Sequence, residues 1–177
     1  MTGADDPLRP AEPARTNHEL RHEAATMALY VAIVVEAELL TFWVGYGPDD
    51  PSPIDGVELI ALIWGTTIGL ALAHLFAFRL AARAFVREGQ NSHGQVAAAQ
   101  LLGAAAVAAL CSIPGLFASD DNDLRFSLYV PEIIIGVAGY LTARTSGRSR
   151  SASLAIGLGA AAVGLSIAVA MTTLAGH

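Results

Sequence analysis

Four ionisable side chains stand inside long apolar stretches of this chain. They are Glu36 and Glu38 in Val35-Glu36-Ala37-Glu38-Leu39, Glu132 in Val130-Pro131-Glu132-Ile133, and His74 in Ala73-His74-Leu75. Carboxylates in apolar surroundings can take up and release protons or hold cations, and an imidazole can relay a proton. A charged group at the centre of a membrane helix costs roughly 2.5–3.5 kcal/mol, so these residues need burial, water, hydrogen bonds or protonation. At about 100° per residue Glu36 and Glu38 point roughly 200° apart and cannot face one narrow site. Depth pairs Glu38 with Glu132, leaving Glu36 for another helix or a second protomer. His74 falls several ångströms deeper and suits a relay. The expected role of this set is a proton or cation pathway fed by the acidic connections around Asp49, Asp50, Asp55 and Glu58 and around Asp120, Asp121 and Asp123. The alternative is that Glu38 and Glu132 bond to Thr41, Tyr129 or backbone and only fix packing.

A second string with chemical content is His18-Glu19-Leu20-Arg21-His22, which has the H-E-x-x-H spacing. On a helix the two histidines would share a face, with Glu19 placed to activate a zinc-bound water. Arg21 between the ligands, Glu23 directly after, and the lack of a third ligand motif argue against a peptidase. Loose metal capture by His18, Glu19, His22 and Glu23 is the remaining metal reading. An amphipathic lead-in to the first span is the plainer one.

The elements that must position these groups are membrane helices. Of the 177 residues, 54% are hydrophobic and 15% charged, against about 25% charged in an ordinary soluble domain. That composition excludes a soluble enzyme and a disordered chain, and a formal net charge of −6 argues against nucleic acid as a partner. A span needs about 20 mostly apolar residues. Five segments qualify or nearly qualify: about Ala24 to Tyr46, Val57 to Leu80, Val96 to Phe117, Ser127 to Ala143, the shortest, and Ser153 to Leu174; a count of four would make one of them re-entrant. The expected fold is an all-α polytopic bundle of five transmembrane helices over 24–177. It follows a flexible polar tail, 1–23, that lacks the basic-then-apolar pattern of a signal peptide. Pro131 is expected in the first turn of the fourth span, where proline is tolerated. The single cysteine, Cys111, excludes an intrachain disulfide and a cysteine-based zinc site.

Nine of the ten arginines fall on one side of a five-span chain: Arg9, Arg15 and Arg21, then Arg79, Arg83 and Arg87, then Arg144, Arg148 and Arg150. Arg125 alone stands opposite. The positive-inside rule places that side in the cytoplasm, with the amino terminus inside and His177 outside. The expected location is a cell membrane, the bacterial cytoplasmic membrane, with the lipid bilayer as the main partner. Small residues at Gly65 and Gly69, and at Gly157, Gly159, Ala161 and Gly164, suit close helix packing. That packing is expected within the chain, with homodimerisation as the sharper alternative.

The stretch Ile133-Ile134-Ile135-Gly136-Val137-Ala138-Gly139-Tyr140-Leu141-Thr142-Ala143-Arg144-Thr145-Ser146-Gly147-Arg148 resembles the fourth helix and basic turn of the vacuolar iron transporter family. Leu154 through Gly176 is similar to its last helix, and Ser112-Ile113-Pro114-Gly115 to the end of its third. The resemblance implies five spans, an inside amino terminus, a dimer, and exchange of a divalent metal ion, as substrate, for protons. The first two helices carry Val35-Glu36-Ala37-Glu38 and Trp64-Gly65-Thr66-Thr67 in place of the family's metal-binding signatures, so no metal ligand carries over. A non-transporting membrane scaffold or accessory subunit is the alternative function.

Overall fold

The structure is a computed structural model that describes residues 17–45, 54–85, 93–117 and 123–175, with the side chains of 81–85, 93 and 175 excepted. It contains five helices: α1 (Asn17–Gly45), α2 (Gly56–Phe85), α3 (His93–Phe117), α4 (Asp123–Thr145) and α5 (Arg150–Ala175). Among the described residues there is no strand. The shortest helix, α4, has 23 residues, or about 35 Å at 1.5 Å per residue, which exceeds a hydrocarbon core of about 30 Å. All five are long and apolar enough to cross a membrane, as an integral, multi-pass membrane protein requires. Helices meet the demand of that solvent because each satisfies its backbone groups within its own segment.

Local chemistry sets the helix ends. At the start of α2 the Glu58 N–H donates to Asp55 Oδ1 at 2.7 Å and the Leu59 N–H to the Asp55 carbonyl at 2.9 Å, an N-cap. Helix α4 closes with Gly147 at φ +78°, where a side chain would be strained. There the Gly147 N–H donates to Arg144 O and the Arg148 N–H to Ala143 O, a Schellman pair. Ser149 then caps α5, its carbonyl accepting from Ser153 N–H and its hydroxyl from Ala152 N–H. The short turn folds α5 straight back along α4.

Two boundaries differ from the sequence expectation. Helix α1 starts at Asn17, so residues 17–23 of the expected polar tail are helical. Residues 1–16, with Arg9 and Arg15, lie outside the described residues, as do Arg87, Asp49, Asp50, Asp120, Asp121 and His177. Helix α4 starts at Asp123, so Pro131 sits in its interior and not in its first turn. Proline is tolerated there because neighbouring helices re-supply partners in a membrane bundle. Next to the break, the Ser127 hydroxyl donates to the Cys111 carbonyl of α3 at 3.4 Å.

Helix α1 occupies the centre, packed by α3, α4 and α5, while α2 lies at the edge against α3 and only touches α1 and α4. Residues Met27, Val31, Ala32, Val35, Glu36 and Leu39 form the buried face of α1, and Leu59, Ile63, Thr67 and Ala71 the single buried stripe of α2. Odd-numbered helices run parallel. Glu23 near the start of α1 meets Gln100 near the start of α3, and Thr41 and Thr172 meet near the ends of α1 and α5. The start of α2 meets the end of α3 and the start of α4, where Gly56 approaches Gly115 and Asp123. The bundle therefore has an acidic end, with Asp55, Glu58 and Asp123, and an arginine end, with Arg21, Arg79, Arg144, Arg148 and Arg150.

The small residues divide into two groups. Gly139, Gly157 and Gly164 bring α4 and α5 together, since a Cβ on any of them would meet a neighbouring atom at 2.7–2.8 Å. Gly65, Gly69 and Gly159 have open space around them. The expectation of packing within the chain is thus corrected for Gly65, Gly69 and Gly159, whose Cβ positions meet no neighbouring helix among the described residues. Large apolar side chains such as Leu72, Phe76, Leu102 and Leu158 also point outward, as suits a lipid solvent.

Candidate functional site

Glu36 belongs to the buried face of α1. Its position one residue after Val35 and four after Ala32 carries it into the apolar stripe, where it is 1% exposed. Its Oε2 is buried and accepts no hydrogen bond among the described residues. Buried polar atoms are nearly always paired, and an exception asks for an explanation. Helix α1 packs against α4, which carries Glu132. Each glutamate lies nine residues from the acidic end of its helix, at Gly45 and Asp123, or about 13.5 Å down.

The depth argument from sequence placed Glu38 and Glu132 together; counted from the helix ends found, Glu36 and Glu132 stand at one level, with Glu38 two residues nearer the acidic end. The four extra residues at the start of α4 move Glu132 about 6 Å further from that end, to the level of Glu36. Glu38 turns the other way, toward α2, and its Oε2 accepts a short hydrogen bond from the Thr66 hydroxyl. Thr41 and Tyr129, considered as partners for the carboxylates, do other things. The Thr41 hydroxyl donates to the Ala37 carbonyl at 2.8 Å, and Tyr129 is exposed. Thr172 of α5 donates to the same carbonyl at 3.0 Å, which pins α5 to α1 beside both glutamates. Thr67, next to the Glu38 partner, is 2% exposed with its hydroxyl oxygen unpaired.

Glu132 is half-buried and stands at one end of a groove of about 410 Å³ between α4 and α5, whose wall is otherwise apolar apart from Tyr140. Gly136 and Gly157 line it where the two helices approach most closely. One carboxylate, Glu36, thus lies in the bundle centre and the other, Glu132, at this groove.

His74 serves a different level. With Gln100 and Met27 it lines an enclosure of about 10 Å³, about the size of one water. Gln100 Nε2 donates to Glu23 Oε2 at 2.9 Å. Thirteen residues of α1 separate Glu23 from Glu36, about 20 Å, and the buried residues between them are Met27, Val31, Ala32 and Val35. Two polar levels are therefore divided by an apolar layer. Gln100 escaped the sequence reading, although a lone amide inside an apolar run was a visible signal.

The H-E-x-x-H string occupies the first turns of α1. His18, Glu19 and His22 are exposed, whereas Glu23 is half-buried and engaged by Gln100. Among the described residues no three His, Cys, Asp or Glu side chains converge closely enough to hold a metal ion. The four candidates His18, Glu19, His22 and Glu23 do not form a preassembled centre here. No protein-family model, characterised protein or solved structure matches this chain.

Proposed function

We propose that this membrane protein translocates protons or small cations, with Glu36 and Glu132 as the groups that carry the ion. The observation behind this reading is the buried Glu36 carboxylate, with one oxygen unpaired among the described residues, on a helix packed against α4, where Glu132 stands at the same level. A proton or a cation there supplies the missing partner, which apolar surroundings otherwise make expensive to lack. Glu38, held by Thr66, sets the field toward the acidic end, and His74 with the Glu23–Gln100 pair marks the path toward the arginine end. The apolar layer at Met27, Val31 and Val35 acts as the closed gate of this conformation. The arginine end faces the cytoplasm of a bacterial cell membrane by the positive-inside rule. A divalent metal ion, as the iron-transporter resemblance implies, is one candidate cargo.

A non-transporting scaffold is the second reading, and the Glu38–Thr66 bond, which spends a carboxylate on helix packing, favours it. Liposomes with an internal pH dye separate the two. The expected result is proton flux under an imposed gradient or with external divalent ions, lowered about tenfold or more in Glu36→Gln and Glu132→Gln. No flux in the native protein, or full flux in both variants, overturns the proposal.

A further inference from the structure

The α4/α5 groove has the shape of a ligand site and opens toward lipid. Its volume of about 410 Å³ lies within the range of small-molecule pockets, roughly 300–1,000 Å³. Along α4 it runs from Glu132 to Tyr140, eight residues or about 12 Å parallel to the helix, and on α5 it reaches Leu154. Its floor is Gly136 and Gly157. Its rims are Val137, 49% exposed, and Leu158, 72% exposed, so the groove is entered from the flank of the bundle and not from either end.

One charged group lines this apolar trough, the carboxylate of Glu132 at its end toward Asp123. Two arginines share the helix and neither lines the trough: Arg125 is exposed, seven residues or about 10 Å from Glu132 toward the acidic end, and Arg144 is twelve residues or about 18 Å away, its Nη1 donating to the Arg148 carbonyl at 2.7 Å. The trough therefore attracts positive charge at one end and offers apolar contact along the rest. A fatty acid or an anionic headgroup would meet repulsion at Glu132, and an uncharged chain would leave the carboxylate without a partner.

We infer that this groove binds lipophilic organic cations that enter from the bilayer, with the positive head at Glu132 and an apolar body about 12 Å long lying over Gly136 and Gly157 toward Tyr140 and Leu154. The inference rests on the reading of Glu36 and Glu132 as the ion-carrying pair and names a substrate class for it. Entry of the cation gives Glu132 a counter-ion, so a proton held between the two carboxylates becomes free to leave.

The test uses the full chain in phosphatidylcholine nanodiscs, titrated calorimetrically with decyltrimethylammonium, decanol and decanoate against protein-free discs. The expected result is saturable binding of one decyltrimethylammonium per chain, with the alcohol and the acid about tenfold weaker or worse. Glu132→Gln and Val137→Trp, which removes the charge or fills the trough, should each weaken binding by about tenfold or more. Glu132→Asp should retain part of it, and Leu72→Trp, on the outward face of α2, all of it. Equal affinity for the cation and decanol, or native affinity in both Glu132→Gln and Val137→Trp, overturns the inference. So does loss of a native dimer in Val137→Trp, which would make a second copy the occupant. Proton flux in liposomes keeps the two proposals apart. Flux without cation binding overturns this inference alone, and cation binding without native flux overturns the ion-carrying reading on which it rests.

Discussion

Replacing Glu36 with methionine should stabilise the protein and end ion movement. Glu36 is 1% exposed and its Oε2 accepts no hydrogen bond among the described residues. A buried polar group without a partner costs about 1–3 kcal/mol, and methionine fills a similar volume with no polar atom. The variant should gain that amount, about a 5- to 150-fold shift in the folding equilibrium. Glu36→Gln is the matched comparison. It keeps the shape and an unpaired polar group but loses the charge, so its gain should be smaller. The assay is unfolding by sodium dodecyl sulfate in mixed micelles, followed by the fluorescence of Trp43 and Trp64, with proton flux in liposomes measured on the same samples. A loss of about 1 kcal/mol or more in Glu36→Met would refute the reasoning, because it would make the carboxylate a structural anchor. Native flux in that variant would remove Glu36 from the pathway.

Two further outcomes follow from packing and burial. Gly157→Ala should cost about 1–3 kcal/mol in the same unfolding assay, because the added Cβ would lie 2.7 Å from the Gly136 carbonyl oxygen and 3.1 Å from Tyr140 Cβ. Gly159→Ala, with nothing within 4 Å, should stay within about 0.5 kcal/mol of the native protein. Thr67→Val should be neutral or stabilising by about 1 kcal/mol, since the Thr67 hydroxyl is buried without a partner and the shapes match. A clear loss there would show that the hydroxyl holds a bond.

The relation between the two glutamates of α1 shows where sequence reasoning stops. Their opposite directions followed from helical rotation alone, and the structure separates them as expected, Glu36 into the buried core and Glu38 toward Thr66 of α2. Which of them turns into the bundle centre depended on how α1 is rotated against its neighbours. Asp123 and Arg125 looked like loop residues by charge, yet they lie in the first turn of α4. The glycines behave in the same way. Gly65 and Gly69 carry the same spacing as a packing pair, but α2 turns that face outward, while Gly157 and Gly164 turn theirs onto α4.

What the sequence determined by itself is the solvent and the topology class. Long apolar runs can satisfy their backbone groups in lipid only as helices, and five such runs yield the five helices found. The asymmetry of the arginines and the presence of carboxylates at membrane depth are also properties of the chain alone. Tertiary structure decided the rest: the central place of α1, the burial of Glu36, the Glu23–Gln100 pair and the groove between α4 and α5. In lipid, most apolar faces are interchangeable as far as solvent is concerned, so hydrophobicity does not say which face turns inward. Close approach at small residues and a few interhelical hydrogen bonds decide that, and both are visible only once the helices are placed.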